Sequence, residues 1–305
     1  MRIVSLLPSA TEMVAALGCS ESLVGISHEC DYPKELTHLP QLTQSILAHG
    51  LSPKQIDDAV VEASLAGQPL YSVDAEQLMS LQPDLILTQG VCSVCAVTPD
   101  TIETGFRLLS LEMLSDVPIL SFGAKDLEGV FQDLTQLGEA TDTIQQAQIL
   151  IQDLRQRLEN LKEKKGATQP KVLMIEWPEP LWYGGHWVPE QIEAAGGIDP
   201  FGKPGEPSGR MTWEDVQAAA PEIILMGACG FDLEGNRTYA QALYDVPEAQ
   251  ALPAIQQQRV YAVNSNAYLS RPAPRLIDGA EMLHAAIQGK SLDSFASEDI
   301  AHITL

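Results

Sequence analysis

Residues 142–165, DTIQQAQILIQDLRQRLENLKEKK, decide how the rest of the chain is read. Ile144, Ala147, Ile151, Leu154, Leu158 and Leu161 recur three and four positions apart with Gln, Arg, Glu or Lys between them, the spacing of one amphipathic helix. Its length of about 24 residues corresponds to roughly 36 Å at 1.5 Å per residue. The stretch from Gly166 to Pro170 ends it. On both sides short apolar runs rich in β-branched residues alternate with turns and helical patterns, which is an α/β signature. The prediction is two Rossmann-like lobes with central parallel sheets, at 1–141 and 167–305, joined by a linker helix at 142–166.

In the first lobe Ile3–Leu7 reads as a strand, Thr11–Leu17 as a helix closed by Gly18, and Leu23–Ser27 as a second strand. Pro83–Thr88 and Val117–Phe122 supply two more, short and apolar in the manner of buried parallel strands. In the second lobe Lys171–Trp177, Pro221–Met226 and Arg259–Asn264 read as strands, and Val188–Ala195, Trp213–Ala220 and Leu276–Gln288 as helices. The polar stretch from Lys290 onward is expected to pack loosely.

The chain has 305 residues, and 18 Lys plus Arg against 41 Asp plus Glu give a formal net charge of -23. Such an acidic surface repels phosphate backbones, so nucleic-acid binding and attachment to anionic lipid are poor readings. No apolar run reaches about 18 residues, so no transmembrane segment is predicted. Met1-Arg2 runs straight into Ile3–Leu7 and Pro8, which reads as a strand and not as a secretory leader. Five cysteines, an odd number, argue against a disulfide framework and for a reducing compartment. The expected location is therefore cytoplasmic, with the periplasm as the alternative if a leader has been removed.

Ligands of open α/β sheets bind beyond the carboxyl ends of the strands, and four such positions are chemically loaded. His28-Glu29-Cys30-Asp31-Tyr32-Pro33 follows the second strand and Gln89-Gly90-Val91-Cys92-Ser93-Val94-Cys95 the third, while the strands ending at Trp177 and Met226 supply the other two; Ser9 is a further candidate contact. Cys92 and Cys95 have the spacing of two thiolates chelating one soft ion, and His28 with Cys30 would complete a tetrahedral Zn or Fe site. A redox pair, a disulfide and plain packing of small residues are equally open readings of the same spacing. Trp177, Trp182, Tyr183, His186 and Trp187 cluster around Gly184-Gly185, whose missing side chains would let a flat ligand approach the backbone. Cys229 and Phe231 follow Met226, while Tyr268 and Arg271 precede the last helix, where Arg271 would hold an anionic group or form an internal ion pair.

The chain resembles the helical-backbone class of ABC-importer solute-binding proteins, the cobalamin-binding proteins in particular. The likeness rests on Arg2-Ile3-Val4-Ser5-Leu6-Leu7-Pro8-Ser9-Ala10-Thr11-Glu12, on Val24-Gly25-Ile26-Ser27 followed by Asp31-Tyr32-Pro33, on Leu81–Leu87, on the long helix and on Ser270–Arg275. It covers nearly the whole length. The resemblance implies a ligand held between two lobes, no catalysis, and acidic residues that dock on a membrane permease. Glu214 matches the docking glutamate of the second lobe; the corresponding residue of the first lobe has no clean match.

Three functions compete. In the first, the protein encloses a corrinoid such as cobalamin, or another metal-bearing small molecule, with Ser9, Glu29, Tyr32, Gln89, Trp177, Trp182, Tyr183, His186, Trp187, Phe231, Tyr268 and Arg271 as contacts. In the second, His28, Cys30, Cys92 and Cys95 hold a bare Zn, Fe or Cu ion. In the third, Cys92 or Cys30 is the nucleophile of an enzyme with His28 or His186 as base.

Overall fold

The computed structural model describes residues 1–48, 50–90, 117–164, 166 and 168–304. They divide into two compact units, Met1–Ala124 with Glu128–Ile151, and Lys125–Leu127 with Gln152–Leu305. In chain order the first unit contains β1 (Ile3–Ser5), α1 (Pro8–Ala16), β2 (Leu23–Gly25), β3 (Thr43–Ser45), α2 (Pro53–Leu65), β4 (Tyr71–Val73), α3 (Ala75–Ser80), β5 (Leu85–Gln89) and β6 (Ile119–Phe122). Helix α4 (Leu127–Ala140) leads into the long helix α5 (Ile144–Glu163), which is 20 residues long and is shared between the units. The two units divide within this helix, after Ile151.

The first sheet has the order β2-β1-β5-β6 and every pair in it is parallel. Strand order reverses between β1 and β5, which makes their carboxyl ends the topological switch point. Val4, Leu6, Leu42, Leu78 and Ile86 form the apolar cluster under this sheet. A separate antiparallel ribbon, β3 with β4, pairs Thr43 with Val73. It lies in a stretch that periodicity did not resolve, because three-residue strands are shorter than any window in which alternation shows.

The second unit continues with β7 (Val172–Pro178), β8 (Leu181–Tyr183), α6 (Val188–Ala194), β9 (Gly209–Arg210), α7 (Trp213–Ala219), β10 (Ile223–Met226), α8 (Leu233–Ala242), α9 (Pro253–Gln256), β11 (Val260–Val263), α10 (Ser265–Tyr268), α11 (Arg275–Ile287) and β12 (Ile300–Ile303). Its six strands run β12-β11-β10-β7-β8-β9. Only β7, β10 and β11 are mutually parallel; β8, β9 and β12 are antiparallel additions at the two sides. The tail is also more ordered than its polarity suggested. Residues Ile300–Ile303 pair in full register with Val260–Val263, and the Ile303 carbonyl accepts a 2.8 Å hydrogen bond from the Tyr244 hydroxyl. Two apolar residues, Ile300 and Ile303, bury themselves against the sheet, and that is enough to anchor a short strand whose neighbours are polar.

Candidate functional site

In the first unit the loops after β1 and β2 are held by two chains of hydroxyl contacts. Ser5 donates to the Leu7 carbonyl at 2.9 Å, Thr11 donates to Ser5 at 2.8 Å, and the Cys30 sulfur lies 3.2 Å from the Thr11 hydroxyl. With the Thr11 proton given to Ser5, the Cys30 thiol is the donor to Thr11. On the other side of the same turn His28 N–H donates to Thr43 Oγ1 at 3.0 Å, and His28 Nδ1 sits 2.6 Å from the same oxygen. Ser27 Oγ is 3.0 Å from Thr43 Oγ1 and accepts the Glu29 N–H at 3.2 Å.

These contacts separate His28 from Cys30. The imidazole turns toward Thr43 and lies 5.9 Å from the Tyr71 ring, whereas Cys30 is buried against α1. Cys92 and Cys95 lie outside the described residues, and among the described residues no group of three or more His, Cys, Asp or Glu is arranged to hold a metal ion. Ser9 is buried in the first turn of α1 and Gln89 is buried at the end of β5. Tyr32 is 43% exposed beside its cis peptide bond to Pro33. After β6, the buried Asp133 accepts N–H groups of Gly123 and Ala124; burial pushes its pKa up against the lowering effect of those bonds.

The second unit carries the aromatic residues. Trp177, at the end of β7, lies 5.8 Å from Phe231, and Phe231 meets Tyr239 edge to face at 5.4 Å. Asn236, fully buried, fixes this loop: its carbonyl accepts the Ala228 N–H at 2.8 Å, and its amide donates to Val263 O at 2.8 Å and Phe231 O at 3.3 Å. The Cys229 N–H donates to Glu176 O, and Glu176 Oε1 accepts the Ser208 hydroxyl at 2.6 Å. Trp182 has the Arg210 guanidinium 5.3 Å from its ring centre, so one indole face already has a cation on it.

The Gly184-Gly185 region admits a different partner from the one its sequence suggested. Its close neighbour is the chain's own segment 199–210. A Cβ on Gly185 would stand 2.2 Å from Ser208 N, and one on Gly209 would stand 2.3 Å from the Tyr183 hydroxyl. Tyr183 stacks on Phe201 at 5.6 Å, while His186 N–H donates to Glu206 O and Gly205 N–H to His186 O. His186 has a left-handed φ of 54°, and its buried Nδ1 has no hydrogen-bond partner. Burial lowers its pKa, with Lys125 adding to the effect.

Trp187 belongs to the interior: it is 7% exposed and its Nε1–H donates to Leu269 O at 2.7 Å. Arg271 is only 9% exposed, and Tyr268 donates to Asp299 at 2.9 Å. Burial and that carboxylate hold the Tyr268 phenol well above its ordinary range. Glu190, on α6, accepts the Leu127 N–H at 2.8 Å; burial raises its pKa despite this bond. The hydroxyls of Ser27 and Thr43, Asn236 and the Ser208–Glu176 pair shape these loops without any sequence spacing that marks them.

The chain belongs to the periplasmic binding protein family, whose profile matches residues 3–267. Among curated relatives, the vitamin B12-binding protein of Vibrio parahaemolyticus serotype O3:K6 is 25% identical over 283 residues, 91% of this chain and 86% of that one. That of Pectobacterium carotovorum subsp. carotovorum is 25% identical across 97% of this chain and 92% of its own. Among solved structures, the periplasmic vitamin B12 binding protein BtuF of Vibrio cholerae superposes with a TM-score of 0.64 at 23% identity, covering 94% of this chain and 96% of that one. The periplasmic heme binding protein HutB of Vibrio cholerae reaches 0.69 at 22%, covering 93% and 98%.

Members of this family are substrate-binding proteins: they take a small ligand and deliver it to an ABC permease. No helix among the described residues is long and apolar enough to cross a membrane. The family and these structural neighbours are periplasmic, so the comparisons support the alternative location and not the cytoplasmic expectation.

Proposed function

We propose that this protein binds a corrinoid of the cobalamin type and presents it to an ABC permease in the periplasm. The observation that carries the ligand assignment is the pair Trp177, at the carboxyl end of β7, and Phe231, in the loop after β10, 5.8 Å apart, with Tyr239 of α8 packed edge to face on Phe231 at 5.4 Å. Flat apolar rings on a rigid loop suit the face of a large macrocycle, and Asn236 keeps them in place without the entropy of a mobile loop. Two of the curated relatives above are named for vitamin B12, and their alignments extend over nearly the whole chain. The bare-ion reading is less favoured, because His28 and Cys30 engage Thr43 and Thr11 on opposite sides of their turn. An enzymatic role for Cys30 is disfavoured by its burial against Thr11.

The test is calorimetric titration of the purified protein with cyanocobalamin and with haemin. The expected result is one-to-one corrinoid binding with a Kd of about 1 μM or tighter, equivalent to about 8 kcal/mol. Phe231→Ala should weaken it about tenfold or more. Absence of corrinoid binding, or tighter binding of haemin, would sink the assignment.

A further inference from the structure

The hydrogen bonds that join Ser27, His28 and Thr43 can be given a direction. Thr43 Oγ1 accepts the His28 N–H, and Ser27 Oγ accepts the Glu29 N–H. Two hydroxyl protons remain for two contacts, Ser27 to Thr43 at 3.0 Å and Thr43 to His28 Nδ1 at 2.6 Å. Running both in that direction satisfies the two hydroxyls and Nδ1 and leaves the imidazole proton on Nε2, which has no hydrogen-bond partner. That nitrogen lies 3.3 Å from Glu29 Oε1. The reverse direction would set an unprotonated Nε2 against a carboxylate, so it is disfavoured for a neutral imidazole. A charged imidazole also presents Nε2–H to Glu29. Nε2 is buried and the contact is off the line of a good hydrogen bond, so the attraction is electrostatic in character.

His28 is thus oriented by Thr43 and faces Glu29 with a proton, while the Glu29 side chain itself is 48% exposed. The turn follows β2, at the carboxyl edge of the first sheet and one strand from the switch point. A carboxylate held there attracts N–H donors and repels carboxylates. Corrin rings carry a periphery of neutral amides, whereas haem carries propionates.

We propose that Glu29 is a specificity-determining residue that selects an amide-edged macrocycle over a carboxylate-edged one, and that Thr43 and His28 are the positioning residues that aim it. This inference rests on the corrinoid reading above. It makes His28 a holder of the Glu29 carboxylate and not a metal ligand.

Cyanocobalamin and its monocarboxylate derivatives, in which one peripheral amide is hydrolysed, share the ring and the metal and differ only in that group. Wild-type protein should bind at least one of these derivatives tenfold or more weakly than cyanocobalamin. Glu29→Gln should bring that ratio to within about twofold of one, because a neutral amide both donates to and accepts from the ligand. Thr43→Val should reduce the ratio severalfold, and Thr43→Ser, which keeps the hydroxyl, should restore it. A general packing defect would instead weaken all the corrinoids alike and leave the ratio unchanged. If wild type binds corrinoid and Glu29→Gln leaves every ratio as it was, this proposal fails alone; if wild type binds no corrinoid, both readings fail.

Discussion

His284 is 5% exposed, donates from Nδ1 to Ala195 O at 3.1 Å, and accepts at Nε2 from Lys290 Nζ at 2.9 Å. Burial lowers its pKa; the bond to Ala195 opposes this, and the charges of Lys290 and Lys164 reinforce it. His186 is lowered as well, by burial and by Lys125. Both stay neutral in the folded protein at a pH where the unfolded chain, with histidine near about 6.5, already takes up protons. Stability is therefore lost as pH falls from about 7 through the unfolded value toward the folded one, with a limiting slope of about 1.4 kcal/mol per pH unit for each histidine. Urea unfolding at pH 7.5 and 5.5 should show this loss, and His284→Gln should flatten the slope whatever it does to stability at pH 7.5. Asp133, Glu190 and Asp199 act with the opposite sign: burial raises their pKa values, so protonating them at lower pH adds stability. An unchanged slope in His284→Gln would mean that its proton uptake does not differ between the two states. Neither histidine could be given this role from spacing, since what lowers each pKa is the packing around it.

The pairing of residues 183–187 with segment 199–210 is decided between elements. Two backbone hydrogen bonds join His186 to Gly205 and Glu206, and Gly185 allows an approach that no side chain would. Gly185→Ala places a methyl 2.2 Å from Ser208 N and 2.4 Å from Pro207 C, both backbone atoms that cannot rotate away. The expected loss is about 2–3 kcal/mol, read as a lower urea midpoint with an unchanged m-value. The glycine pair stood out in the sequence, but its use did not, because a close approach reads the same whether a ligand or the chain itself makes it. The long helix was legible for the opposite reason: its apolar stripe is local and repeats over many turns. Its tertiary anchor was not, since Arg157 meets Asp278 and Glu281 more than a hundred positions away, at 2.5 and 2.6 Å.

For the molecule as a whole, an acidic surface and an exposed Glu214 bear on docking. Glu214 lies in the first turn of α7, where Thr212 and Asp215 form a reciprocal capping box and leave the Glu214 side chain toward solvent. With the corrinoid and its permease reconstituted, Glu214→Lys should lower uptake about tenfold at low ionic strength and leave ligand affinity within twofold of wild type. Unchanged uptake would remove Glu214 from the docking surface. By itself the sequence determined the α/β class, the long helix between two α/β series and the family likeness. All of these are local periodicities or contiguous motifs. Only the tertiary structure decided that the second sheet is mixed, that β12 joins it, that Trp187 is interior and that His28 turns to Thr43 instead of joining Cys30. Each depends on which distant backbone or hydroxyl satisfies a buried group, and that is a property of the folded arrangement and not of any stretch of sequence.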